Sequence, residues 1–149
     1  MYKRQGEGRS VHHAHAASAG SPWSAATALD PDSCACCWNA VTTGFNDQPV
    51  AIYRDENPRD MHARARNDDG TWTPAVQVGA FDWDFNGCPH VGAGLAYDPH
   101  APRLHAVVWT GHSEHTGLYA LHQNTGQAPW SAPQRLGTCL LYTSPSPRD

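Results

Sequence analysis

Four cysteines stand at two places in this chain, in Cys34-Ala35-Cys36-Cys37 and at Cys88, with His90 two residues beyond the second. Thiolate and imidazole donors suit zinc or copper, whereas in an oxidising compartment the same thiols form disulfides. Four cysteines allow three pairings, and spacing does not choose among them. The least favoured pairing joins Cys36 to Cys37, because neighbours on an extended segment point to opposite sides. A second group is charged: Tyr53-Arg54-Asp55-Glu56, followed by Arg59-Asp60. A guanidinium fork binds carboxylates bidentately, so Arg54, Arg59 and Asp60 read either as ligand contacts or, for Arg54 with Asp60, as an ion pair that holds their loop. A third group is Asp82-Trp83-Asp84, an aromatic between two carboxylates, which suits a sugar with Trp83 stacked on it. Two carboxylates act as a glycosidase pair only at a defined separation, and no catalytic residue is assigned. Among the ten histidines, His12, His13 and His15 sit on a partial blade, where they read either as solvent-facing strand residues or as metal ligands, His62, His105 and His122 read as strand residues, and His112 and His115 as loop residues.

The elements that position these groups are short. Pro49–Arg54 and Leu104–Thr110 are β-rich runs bounded by turn residues, and Asp60–Arg66 alternates with period two. Asn67-Asp68-Asp69-Gly70 and Asn124-Thr125-Gly126 supply residues that tolerate positive φ in tight hairpins. Nothing shows a long 3.6-residue stripe. Three segments share one pattern, Pro22-Trp23-Ser24-Ala25, Trp72-Thr73-Pro74-Ala75 and Pro129-Trp130-Ser131-Ala132, with Trp-to-Trp spacings of 49 and 58 residues. That period marks propeller blades once loop insertions are allowed. The expectation is an all-β chain of about two and a half four-stranded blades, with boundaries near residues 30 and 80. Trp23, Trp72 and Trp130 should fill equivalent gaps between blades.

Back-translated, Met1–Gln5 and Cys139–Asp149 resemble the two orientations of one sequencing-library adapter, and both are set aside. Residues 6–138 then read as an internal portion of a longer gene, a partial β-propeller. Without the tails, five cysteines become four, and seven basic residues face thirteen acidic ones, a formal charge of −6. Nucleic-acid binding, which needs a basic stripe, is disfavoured. No apolar run approaches the ~20 residues of a membrane span.

On these residues the chain resembles the sialidase superfamily of six-bladed propellers. The Asp-box of that superfamily, Ser-x-Asp-x-Gly-x-x-Trp, is loosely matched by Arg66–Trp72 and more weakly by Asn124–Trp130. The chain is more similar to sialidase-like bacterial proteins that carry Cys-x-Cys-Cys, Tyr-Arg-Asp with Arg-Asp beyond it, and Gly-Cys-Pro, here Cys34–Cys37, Tyr53–Asp55, Arg59-Asp60 and Gly87–Pro89. The resemblance implies an exported protein, secreted, periplasmic or at the cell surface, with a carbohydrate partner and no cofactor unless zinc or copper sits at the Cys/His cluster. An enzyme of this kind would be a sialidase-type exo-glycosidase, inactive as this portion alone. It would clasp its substrate with three arginines and use a tyrosine nucleophile with a glutamate. The family's Arg-Ile-Pro motif and an assignable Tyr/Glu pair are not in this sequence. The alternatives are a non-catalytic protein-binding propeller and a Cys/His metal-binding one. The resemblance also places the loops that hold the cysteines and Asp55–Asp60 on one ligand-binding face, with the Asp-box turns on the other.

Overall fold

The structure, a computed structural model, describes residues 9–125 and 128–137; both adapter-like tails and the Gly126 end of the second turn lie outside them. The chain is all-β. A two-stranded antiparallel sheet joins β1 (Val11–His13) and β2 (Thr27–Asp30). A four-stranded meander follows, β3 (Ala40–Thr43), β4 (Pro49–Arg54), β5 (Met61–Ala65) and β6 (Val76–Val78). A second meander comprises β7 (Ala93–Asp98), β8 (Arg103–Thr110), β9 (Gly117–Gln123) and β10 (Gln134–Arg135). No sheet closes on itself; the three form two blades and half of a third, as in part of a propeller.

The middle sheet, β3 to β6, lies between the other two, and its strands alternate accordingly. Leu104, Ala106, Val108 and Thr110 of β8 are buried on one side, and across the ladder they face Gln123, Leu121, Tyr119 and Gly117 of β9. This face packs on Ile52, Met61, Ala63 and Val78 of the preceding sheet, and Phe81 completes the core. The opposite face of the same sheet turns to β1 and β2: Tyr53 donates its hydroxyl to Asp30 Oδ2 at 2.9 Å, and Arg64 donates to the Leu29 carbonyl. Period two thus sends even-numbered residues of β4 to one neighbour and odd-numbered ones to the other.

The repeated Trp-Ser/Thr step has a hydrogen-bonding cause. Ser24, Thr73 and Ser131 each donate a backbone N–H to one carbonyl, of His15, Ala65 and His122, at 2.8, 2.9 and 2.8 Å. Each hydroxyl accepts the N–H of that same residue, at 3.1, 3.1 and 3.0 Å. A side-chain oxygen thereby replaces the ladder bond where the last strand bends away. The preceding tryptophan packs on the sheet before it. Trp72 meets His13 edge-on and donates Nε1 to His13 Nε2 at 3.2 Å, and Trp130 packs on the core. Trp23 is 73% exposed, since no described sheet precedes its own. The Asn67–Thr71 hairpin closes through Gly70 at φ 86°, and Asp69 accepts from the Thr71 hydroxyl and amide, which hold its carboxyl below the usual range.

Candidate ligand-binding loops

Three loops meet at one end of the strands. The β2–β3 loop carries Cys34, Cys36 and Cys37, the β4–β5 loop carries Asp55 to Asp60, and the β6–β7 loop carries Asp82 to His90. The Asn67–Gly70 hairpin lies at the other end of the same strands. Cys34 pairs with Cys37 and Cys36 with Cys88, at disulfide distances with Cα separations of 5.5 and 6.2 Å. The second pair ties the entrance of β3 to that of β7. These inner strands run side by side, and Gly92 makes their approach possible: a Cβ there would stand 2.4 Å from the Trp38 carbonyl oxygen.

The charged residues of the β4–β5 loop hold the β6–β7 loop along its length. At its start, Asp60 Oδ2 accepts the amides of Phe81 and Asp82 at 2.9 and 2.8 Å, and the Gln77 side chain at 2.8 Å. In its middle, Arg59 donates its amide to the Trp83 carbonyl at 2.8 Å and Nε to the Phe85 carbonyl at 2.6 Å. At its end, Arg54 donates Nε to the Val91 carbonyl at 3.0 Å. The same guanidinium also donates to the carbonyls of Arg59 and Trp109 and lies 5.1 Å from the Trp83 ring centroid. Burial lowers the Arg54 pKa to about 10, with nearby Asp60 opposing the shift, so the guanidinium remains a cation at neutral pH. Arg54 and Asp60 therefore do not pair with each other; each turns to backbone dipoles instead. Arg59 forms the ion pair, bidentate to Glu56 at 2.9 and 3.1 Å, and Arg9 reaches the same carboxylate at 2.6 Å.

Phe81-Asp82-Trp83-Asp84 alternates in and out. Phe81 and Trp83 are buried while Asp82 and Asp84 are exposed. Trp83 keeps only 6% of its surface, stacked on Phe85 at 5.4 Å, edge-on to Trp109 at 5.1 Å and close against Gly111. The exposed aromatic of this loop is Phe85, at 42%. It was not singled out from the sequence, although it is the residue at which the alternation breaks.

Sequence reasoning also missed two pairs beside these loops. Tyr53 is buried against Asp30, and burial followed by that hydrogen bond pushes its phenol well above the ordinary value. Asp55 Oδ2 lies 2.6 Å from His62 Nδ1, and burial raises the Asp55 carboxyl against the opposing pull of the Glu56 amide and of His62. The first depends on a contact between sheets, for which the linear pattern carries no signal, whereas the second lies across the β4–β5 hairpin of one sheet.

Cys36, Cys88 and His90 have ligand atoms mutually within 4.8 Å, as do Cys34, Cys36 and Cys37, so either set is close enough to hold a metal. His12, His13 and His15 do not gather into such a group among the described residues. A cleft of about 530 Å³ opens at the hairpin end, lined by Phe45, Gln48, Arg66 and Asp68, and contains none of the groups singled out for ligand chemistry. No described helix is long and apolar enough to cross a membrane. The chain matches no protein-family model, no curated protein and no solved structure.

Proposed function

We propose that this chain is part of an exported, sialidase-like propeller that binds carbohydrate at the Asp82–Asn86 loop. The observation that carries the reading is the pair of exposed carboxylates beside an exposed Phe85, on a loop fixed by Asp60, Arg59, Arg54 and the Cys36–Cys88 pair. Carboxylates accept hydroxyl hydrogen bonds, an aromatic ring covers the apolar face of a sugar, and a site held in place loses little entropy on binding. Arg54 and Arg59 donate to protein carbonyls and to Glu56, which favours binding over a sialidase-type clasp built on these two residues. Disulfide pairing fits an oxidising compartment. Screening the full chain on a glycan array, then titrating the best sugar by calorimetry, tests the reading. Asp82→Asn with Asp84→Asn, and separately Phe85→Ala, should weaken binding at least tenfold in a chain that still melts cooperatively. Binding to no glycan, or binding indifferent to these variants, defeats the reading, and release of sugar from a sialoside would replace it with hydrolysis.

The Cys36, Cys88 and His90 group supports a second reading, a zinc or copper site in the reduced protein. One equivalent of metal, retained on purification under reducing conditions and lost in His90→Ala, is its expected signature.

A further inference from the structure

Cys34 Sγ lies 3.6 Å from Cys36 Sγ, although each is paired elsewhere. Two disulfides therefore touch through one sulfur of each. They differ in access: Cys88 is exposed and Cys36 half-buried, while Cys34 and Cys37 are buried. Thiol–disulfide exchange starts where a thiolate can reach sulfur, and it continues when the released thiolate meets another disulfide. We propose that Cys88 is an acceptor site for a small external thiol, and that the Cys36 sulfur it releases passes the exchange to the Cys34–Cys37 pair.

An external thiol loses its proton to water, and the thiolate attacks Cys88 Sγ. A mixed disulfide forms at Cys88, the Cys36–Cys88 bond breaks, and its electron pair leaves on Cys36. The Cys36 thiolate attacks Cys34 Sγ, the sulfur it already touches. A Cys34–Cys36 bond forms, the Cys34–Cys37 bond breaks, and the electron pair leaves on Cys37, which takes a proton from water. Two disulfides and one thiol enter the sequence and two disulfides and one thiol leave it, with no net oxidation. The exchange unties the β2–β3 loop from the β6–β7 loop and leaves the external thiol on Cys88. It rests on the arrangement of the sulfurs and not on the carbohydrate reading.

The full chain carrying Cys139→Ser, made in an oxidising compartment, is treated with reduced glutathione, quenched with an alkylating agent and mapped by non-reducing mass spectrometry. Before treatment, none of the four cysteines should alkylate. Afterwards glutathione should sit on Cys88, a Cys34–Cys36 bridge should appear, and the alkyl label should fall on Cys37. A label that stays on Cys36 with Cys34–Cys37 intact overturns the proposal. So does glutathione on another cysteine, failure to modify Cys88, or a free thiol at the outset. Cys88→Ser provides a second arm that needs no external thiol: its free Cys36 should exchange internally and divide the label between Cys36 and Cys37. Label on Cys36 alone, in a variant that still melts cooperatively, overturns the relay.

Discussion

Arg54 carries a charge into a place where 1% of its surface remains exposed, and it stays there because carbonyls from three separate segments accept from it. Removing a buried cation's hydrogen bonds strands those carbonyls, so Arg54→Ala should lower stability by about 3 kcal/mol in a denaturant titration. Asp60→Ala is expected to cost about 2 kcal/mol, since the amides of Phe81 and Asp82 and the Gln77 side chain lose the one oxygen that accepts from them. Tyr53 makes an alkaline prediction. Its folded pKa is raised above the ordinary 10, so above pH 10 the folded state holds a proton that the unfolded chain has released. Its contribution to stability is complete below that pH and is lost as pH rises through the folded value. The fall in stability above pH 10 should be smaller in Tyr53→Phe, as measured by urea unfolding at several pH values.

Among the elements, the repeat offers an internal comparison. Trp23, Trp72 and Trp130 occupy one position in three copies, yet among the described residues only the latter two have a preceding sheet to pack on. Trp72→Ala and Trp130→Ala should each cost about 3 kcal/mol, as large-to-small changes at packed sites do. Trp23→Ala should stay within about 0.5 kcal/mol of the parent, as exposed substitutions do. Equal costs at all three positions would mean that the first sheet is covered in solution. The inner strands offer a harsher case: Gly92→Ala places a Cβ against the Trp38 carbonyl and should push β7 away from β3.

For the whole molecule, the Cys36–Cys88 bridge closes a long loop and Cys34–Cys37 a short one, with sequence separations of 52 and 3. Loop-closure entropy makes the first worth about 4 kcal/mol and the second about 2. Replacing Cys36 and Cys88 together by serine should therefore lower stability roughly twice as much as replacing Cys34 and Cys37. Trp23, Trp38 and Val41 remain exposed, and Val41 lies in a groove with Val11, Leu29 and Trp72 between the first two sheets. Apolar faces and strand edges of this kind promote association, so the chain should sediment as oligomers, and Val41→Lys with Trp23→Ser should shift it toward monomer.

Periodicity and turn chemistry are local, and they were enough to read the all-β class, the strand-rich segments and the Trp-centred repeat from the order of residues. The repeat's Ser/Thr hydroxyl could be read as a position but not as a hydrogen bond, because its partner lies in another strand. The resemblance to sialidase-like propellers placed the loops of Cys34–Cys37 and Cys88 on one face, yet which sulfurs meet depends on how closely β3 and β7 run. The same holds for the charged motif. Its spelling suggests a ligand clasp or an Arg54–Asp60 pair, whereas neighbouring backbone supplies nearer partners and turns it into the clamp of the β6–β7 loop. Trp83 and Phe85 exchange the exposure their sizes suggest because Arg54, Trp109 and Gly111, all distant in sequence, close around Trp83. Only the tertiary structure decides such matters, since burial and hydrogen bonding depend on which segments are brought together, and that information is not carried by any single segment.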